Sequence, residues 1–238
     1  GNDVIETGID NDTILGDGGI VLYTAGVLVS LSSDAIEAGD DLITVVNGNN
    51  IIAGGAGADV ITTTDGVDII LGDNGQLVWS ATGVIESVTA TDLTNGAGDI
   101  INAGDADNII VGATGNDVIE TGIDNDTILG DGGVALYTAG VLVSLSSDAA
   151  EIGDDIITVV NGNNIIAGGA GADTITTTDG VDIILGDNGQ LVWSASGIIE
   201  SVTATDLTNG AGDIIKAGDS DNIIVGATGN DVIETGID

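Results

Sequence analysis

The sequence predicts an all-β fold, a parallel β-roll or β-solenoid made of nine-residue turn-strand units with inserted β-hairpins. Three observations carry this: a 114-residue tandem repeat, a nine-residue beat inside it, and 40 glycines without a proline. So much Gly alongside β-branched residues disfavours helix and favours short strands joined by tight turns.

The long repeat can be read directly. Gly1-Asn2-Asp3-Val4-Ile5-Glu6-Thr7-Gly8-Ile9-Asp10 recurs letter for letter at 115–124 and 229–238. The copies differ mildly, as Leu42 against Ile156, Val84 against Ile198 and Val60 against Thr174; Asn102 against Lys216 is the exception. The chain therefore divides into repeat unit 1 at 1–114, with halves meeting near 48, unit 2 at 115–228, with halves meeting near 162, and the start of unit 3 at 229–238. Tyr23, Trp79, Tyr137 and Trp193 hold equivalent places, so successive halves alternate Tyr and Trp.

The short beat sets the strands. Asp41-Leu42-Ile43, Asn50-Ile51-Ile52, Asp59-Val60-Ile61 and Asp68-Ile69-Ile70 follow at steps of nine, as do Asp99-Ile100-Ile101, Asn108-Ile109-Ile110, Asp117-Val118-Ile119 and Asp126-Thr127-Ile128. Nine residues suit one short strand plus one turn. Two units close a flattened coil, and coils stack in parallel at about 4.8 Å. Turns 18 residues apart then share an edge, which sets Asp41 beside Asp59 and Asp99 beside Asp117. Carboxylates aligned in this way repel unless a cation lies between them.

A fifth turn, Gly72-Asp73-Asn74-Gly75, with equivalents at Gly16, Gly130 and Gly186, precedes a break of about twenty residues in the beat. Residues 76–89 and 20–31 each read as two β-rich arms around a short turn, a hairpin. The expectation is a hairpin laid over the roll with its aromatic buried; the alternative is a ligand or partner surface built on Trp79 and Tyr23. Ile43, Ile52, Ile61 and Ile70 suit the core, yet Leu42, Ile51, Val60 and Ile69 before them are apolar too. Strands apolar on both faces are usually covered on both. The hairpins or a neighbouring chain could supply the cover, and β-propensity alone is the remaining explanation.

Charge supports a metal-closed roll. One basic residue, Lys216, stands against 39 acidic ones, for a net charge of −38. A disordered acidic tail would lack the 42% hydrophobic content and the positive mean hydropathy of +0.41. Repulsion on this scale opposes a compact state, and about nineteen divalent cations would be the ceiling needed to cancel it. Hard cations, calcium above all, match Asp and backbone carbonyl donors.

Cys and His are absent, which removes thiolate and imidazole metal sites and the nucleophile-His catalytic arrangements. No carboxylate pair stands out from the repeated array as acid and base, so no enzyme is expected. Nothing basic is present to meet nucleic acid, and no apolar run is long enough for membrane insertion. No signal peptide is visible, and the lack of Cys fits either a cytosolic protein or a secreted one closed by metal.

Gly54-Gly55-Ala56-Gly57-Ala58-Asp59-Val60-Ile61-Thr62 fits GGxGxDxUx, with U a large apolar residue, and resembles the RTX (haemolysin-type) calcium-binding repeat. Gly168-Gly169-Ala170-Gly171-Ala172-Asp173 is a second complete hexapeptide. Gly112-Ala113-Thr114-Gly115-Asn116-Asp117 and its copy at 226–231 fit with one Gly lost. The resemblance implies a β-roll with multiple Ca2+ held by turn carbonyls and by the Asp closing each hexapeptide, shared between turns one coil apart. By position, those aspartates are Asp41, Asp59, Asp99, Asp117, Asp155, Asp173, Asp213 and Asp231 on one edge, with Asp3 at its start. Asp12, Asp68, Asp126 and Asp182 fall on the other edge. There Asn50, Asn108, Asn164 and Asn222 replace the closing Asp with a neutral amide, while the turns ending in Asp68 and Asp126 gain Asp65 and Asp124. These are recast sites or turns without metal. For any single turn, Asp, Asn and Gly could simply be good turn formers.

The expected function is an extracellular calcium-binding structural repeat protein, a surface fibre, matrix filament or adhesin stalk, self-associating end to end or laterally. The resemblance also implies secretion of an unfolded chain that folds on meeting calcium. The alternative is the RTX module of a secreted toxin or hydrolase whose catalytic domain lies elsewhere. Ice binding would need a regular outward Thr/Asn ladder, and Thr114 and Asn116 are not matched one coil away. Both chain ends fall within the same turn motif without a cap, as in a window on a longer repetitive chain.

Overall fold

The computed structural model describes residues 1–33, 36–91, 94–147, 150–205 and 208–236. Every regular element among them is a β-strand, in three sheets.

Two sheets are parallel and form the roll. The first has nine strands in chain order: Val4–Thr7, Leu42–Val45, Val60–Thr62, Ile100–Asn102, Val118–Ile123, Ile156–Asn161, Thr174–Asp179, Ile214–Ala217 and Val232–Thr235. The second has eight: Thr13–Leu15, Ile51–Ala53, Ile69–Leu71, Ile109–Val111, Thr127–Leu129, Ile165–Ala167, Ile183–Leu185 and Ile223–Val225. Register follows the beat. Ile43 pairs with Ile61, Ile61 with Ile101 and Ile101 with Ile119 in the first sheet; Ile52 with Ile70 and Ile70 with Ile110 in the second. The central Ile of each strand points between the two sheets, and from Ile43 to Ile215 these side chains are fully buried. Each contributes about 1.5–3 kcal/mol by leaving water.

The hairpins form the third sheet. Its strands are Gly19–Thr24, Val27–Ser33, Gly75–Trp79, Ile85–Ala90, Gly133–Thr138, Val141–Ser147, Gly189–Trp193 and Ile199–Ala204, all antiparallel. Ala25 and Gly26 both have positive φ (52° and 83°), the type I′ signature of a two-residue hairpin. Successive hairpins also pair with one another, Leu31 opposite Leu77, Val88 opposite Ala135 and Leu145 opposite Leu191. Four local excursions thereby become one continuous cover. The sequence shows no sign of this, because each hairpin reads as complete in itself.

The cover packs on the second sheet only. Leu31, Leu77, Val88, Leu145 and Leu191 meet Ala53, Leu71, Val111, Leu129, Ala167 and Leu185 in a second apolar layer. Trp79 and Trp193 are buried in that layer, as expected. Tyr23 is 59% exposed because its hairpin lies at the end of the cover. The expectation of cover on both sides of the roll holds for the second sheet alone. On the outer face of the first sheet, Leu42, Ile100, Ile156 and Ile214 are between 42% and 49% exposed. Lys216 also lies on that face, in register with Glu234, as Asn102 is with Glu120.

Candidate metal centre

One edge of the roll collects the turns that lead into the first sheet. Four are uninterrupted hexapeptides, ending in Asp59, Asp117, Asp173 and Asp231, the second and fourth with Ala in place of the second Gly. The other four open at Gly16, Gly72, Gly130 and Gly186, carry the hairpins, and close at Asp41, Asp99, Asp155 and Asp213. The chain spacing between stacked aspartates is accordingly 18, 38 or 40 residues.

The closing aspartates form an unbroken ladder. The backbone N–H of Asp3 donates to Asp41 Oδ1, Asp41 to Asp59, Asp59 to Asp99, Asp99 to Asp117, Asp117 to Asp155, Asp155 to Asp173, Asp173 to Asp213 and Asp213 to Asp231, at 2.7–3.1 Å. Oδ1 is thus used up in holding coil to coil. Oδ2 is not: in Asp41, Asp59, Asp99, Asp117, Asp155, Asp173 and Asp213 it is buried without a hydrogen bond. A row of buried, unpaired carboxylate oxygens is costly unless something positive meets it.

The opening glycines show what surrounds those oxygens. A Cβ built on Gly54 would overlap both Asp59 Oδ2 and the Gly72 carbonyl oxygen of the next coil. The same pairing recurs at Gly16 (Asp41, Gly54), Gly72 (Asp99, Gly112), Gly112 (Asp117, Gly130), Gly130 (Asp155, Gly168), Gly168 (Asp173, Gly186) and Gly186 (Asp213, Gly226). A carboxylate oxygen and a neighbouring-coil carbonyl therefore converge seven times, each over a glycine that has to lack a side chain. Oxygen donors of mixed carboxylate and carbonyl type suit calcium. Among the described residues, no three acidic side chains converge as a compact cluster. The donor set is instead spread along the edge, with main-chain carbonyls as a large part of it.

Backbone conformation explains other glycines of the motif. Gly55, Gly57, Gly115, Gly169 and Gly171 have φ between 115° and 137°, a region that side chains rarely enter. Where the motif loses its second Gly, Ala113 and Ala227 are still held at φ 82° and 73°.

Electrostatics mark the same edge. Burial, and then the neighbouring carboxylates Asp73 and Asp117, push Asp99 up to about 10. Burial followed by Asp155 pushes Asp117 to about 9, and burial raises Asp155 itself to about 7. Asp59 and Asp213 rise to about 7 and Asp173 to about 8, each first through burial. Such carboxyls are poorly tolerated as anions without a counter-cation.

Four further aspartates belong here that the motif does not point to. Asp17, Asp73, Asp131 and Asp187, each just after the opening Gly of a hairpin-bearing turn, accept through Oδ2 from the backbone N–H of Ala56, Thr114, Ala170 and Thr228 one coil on. The Oδ1 atoms of Asp73, Asp131 and Asp187 are buried without a hydrogen bond, and burial pushes Asp73 and Asp131 to about 8 and about 10. The signal was the Gly-Asp pair opening every such turn, hidden because a hairpin separates it from its closing Asp.

The other edge is built differently. Asp12, Asn50, Asp68, Asn108, Asp126, Asn164, Asp182 and Asn222 alternate in one ladder, each backbone N–H donating to the next Oδ1. Asp65 and Asp124 lie at exposed turn positions outside this column. Burial raises Asp126 to about 6 and also raises Asp68, opposed in each case by a threonine hydroxyl (Thr121, Thr63) and by the Asn below.

The family model described as the RTX calcium-binding nonapeptide repeat (4 copies) matches residues 1–20, 44–76, 95–134, 158–190 and 207–238. Comparison with curated proteins and with solved structures returned no match.

Proposed function

This chain belongs to the RTX calcium-binding nonapeptide-repeat family, and on that premise we propose that it is an extracellular structural element, a surface fibre, matrix filament or adhesin stalk, stiffened by calcium along the Gly-Asp edge and without catalysis of its own. The observation that carries this is the unbroken aspartate ladder, with one unpaired buried Oδ2 per coil over a glycine. Calcium there would be held by the Oδ2 atoms of Asp41, Asp59, Asp99, Asp117, Asp155, Asp173 and Asp213 and by the carbonyls of the next opening glycines. The ion supplies positive charge between stacked carboxylates.

Linkage explains the extracellular assignment. An ion that binds only the folded roll stabilises it by an amount that grows with the logarithm of its concentration, so a chain of this charge folds where calcium is plentiful. RTX repeat proteins are typically secreted. Two near-identical 114-residue units in series suit a spacer better than a module serving one active site.

The distribution of charge supports self-association. The outward rows of the cover sheet, Leu22, Ser30, Val78, Ser87, Leu136, Ser144 and Val192, and beside them Ser32, Gln76, Thr89, Val134, Ser146 and Gln190, carry no charge in a chain of net charge −38. The half-exposed apolar row of the first sheet is the opposite flat face. Flat faces of this kind can stack between copies while the acidic edges bind ions.

The test is circular dichroism during a calcium titration from a metal-free start, with magnesium as control. A coil-to-β transition driven by calcium alone is expected. A β spectrum that appears without metal at neutral pH would sink the reading.

A further inference from the structure

The Asn-bearing edge shows how a turn of this roll can close without an ion. The backbone N–H of Asp12 donates to Asn50 Oδ1 at 3.0 Å, which fixes the amide orientation, because only the oxygen can accept. Asn50 Nδ2 must then face inward. It donates to the Gly48 carbonyl of its own turn at 2.8 Å and to Asp68 Oδ1 of the next coil at 2.9 Å. Asn164 repeats this, to Gly162 O at 3.2 Å and Asp182 Oδ1 at 3.0 Å. Asn108 Nδ2 donates to the carbonyls of Gly104 and Ala106, and Asn222 Nδ2 to that of Gly218. On this edge the amide NH2 groups supply partial positive charge to turn carbonyls and, from Asn50 and Asn164, to the Oδ1 of Asp68 and Asp182. Asp68, Asp126 and Asp182 still keep a buried Oδ2 without a hydrogen bond, but none of these oxygens lies over an opening glycine as on the Gly-Asp edge.

The opening residue of each turn agrees. On the Gly-Asp edge it is always Gly, and Oδ2 lies against its Cα. On the Asn-bearing edge, beyond a first turn that opens at the half-buried Thr7, it is Val45, Thr63, Ala103, Thr121, Val159, Thr177 or Ala217. All seven are buried, and the Val and Ala members join the isoleucine core. Side chains fill the room that glycine leaves open on the other edge. Alternation completes the arrangement, since Asp68, Asp126 and Asp182 each have an Asn above and below and never another carboxylate.

We propose that calcium is confined to a single file along the Gly-Asp edge, and that Asn50, Asn108, Asn164 and Asn222 act as built-in substitutes for the ion on the other edge. Asp12, Asp68, Asp126 and Asp182 are then structural acceptors and not ligands. This rests on the calcium reading given above and sharpens it. The chain holds one site per convergent carboxylate-carbonyl pair, seven in all, far below the nineteen that charge arithmetic allows.

The test counts ions. Bound calcium is measured by equilibrium dialysis with metal analysis on the full chain, with circular dichroism at saturating calcium to verify the fold. Asp68→Asn, Asp126→Asn and Asp182→Asn together should leave the count unchanged, because Asn at each position keeps the Oδ1 acceptor. Asp59→Asn, Asp117→Asn and Asp173→Asn together should lower it by about three. A loss of about three ions in the first variant would overturn the single-file proposal while leaving calcium binding intact. A wild-type chain that binds none, or two variants that both keep the wild-type count, would overturn the calcium reading itself. If the first triple variant does not fold, Asp126→Asn alone decides between no change and the loss of one ion.

Discussion

Metal removal should make this fold acid-dependent, in the direction opposite to most proteins. In the folded chain Asp155 is raised from 3.8 to about 7, and Asp59, Asp173 and Asp213 are raised comparably or further. The folded state therefore holds protons that the unfolded chain has released. Stability of the metal-free fold is present in full below about pH 4 and is lost as pH rises toward the folded values. For Asp155 the loss is about 4 kcal/mol once the carboxyl is ionised. Several such groups together would remove stability comparable to that of an ordinary domain. The metal-free chain should thus be unfolded at pH 8 and gain β structure on acidification, whereas calcium should fold it at pH 8. Far-ultraviolet circular dichroism of metal-free protein between pH 8 and pH 3.5 reads this. Sedimentation must accompany it, because the chain crosses its isoelectric point near 4.1. A metal-free chain equally folded at pH 8 and pH 4 would refute the reasoning, as would one that stays unfolded at both.

Other outcomes follow from single side chains. Gly54→Ala places a methyl group against Asp59 Oδ2 and the Gly72 carbonyl, so it should remove one bound ion and cost about 1–3 kcal/mol at saturating calcium, measured by dialysis and urea titration. Ala113→Gly relieves a residue held at φ 82° and should raise stability by up to about 1 kcal/mol, read as a higher urea midpoint with unchanged slope. Leu77→Ala, under the cover sheet, should cost about 2–5 kcal/mol, whereas Leu42→Ala, 43% exposed on the uncovered face, should cost below about 1 kcal/mol. Equal costs at the two positions would contradict the one-sided cover.

Much of the roll was legible because each nine-residue beat is local: a turn composition and one Ile fix a strand, and the spacing of 18 fixes its neighbour. The closing aspartates could be read for the same reason. Asp73 and its equivalents could not, because their partners, such as the Thr114 amide, lie 41 residues away across a hairpin. Nor could the fusion of the hairpins into one sheet, since the Leu31–Leu77 and Val88–Ala135 pairings depend on where the roll plants each hairpin. The Asn-bearing edge was ambiguous for a chemical reason. A sequence shows that a carboxylate has become an amide, but not that the amide hydrogens find Gly48 O and Asp68 Oδ1.

The placement of the hairpins ties the two apolar layers to the acidic edge. All four interrupt turns of the Gly-Asp edge, between an opening Gly and its closing Asp, and none interrupts the Asn-bearing edge. At the root of one hairpin Asp73 accepts from the Thr114 amide, and Gly75 N–H donates to the Ser33 hydroxyl of the preceding hairpin at 2.7 Å. Closing that edge therefore fixes both the height and the spacing of the hairpins, and only then are Leu31 and Leu77 brought opposite each other. An edge with built-in amides can form from local turns, while the edge that waits for a cation also controls assembly of the cover. Charge that would destabilise an ordinary domain is concentrated where its neutralisation completes the largest amount of apolar packing.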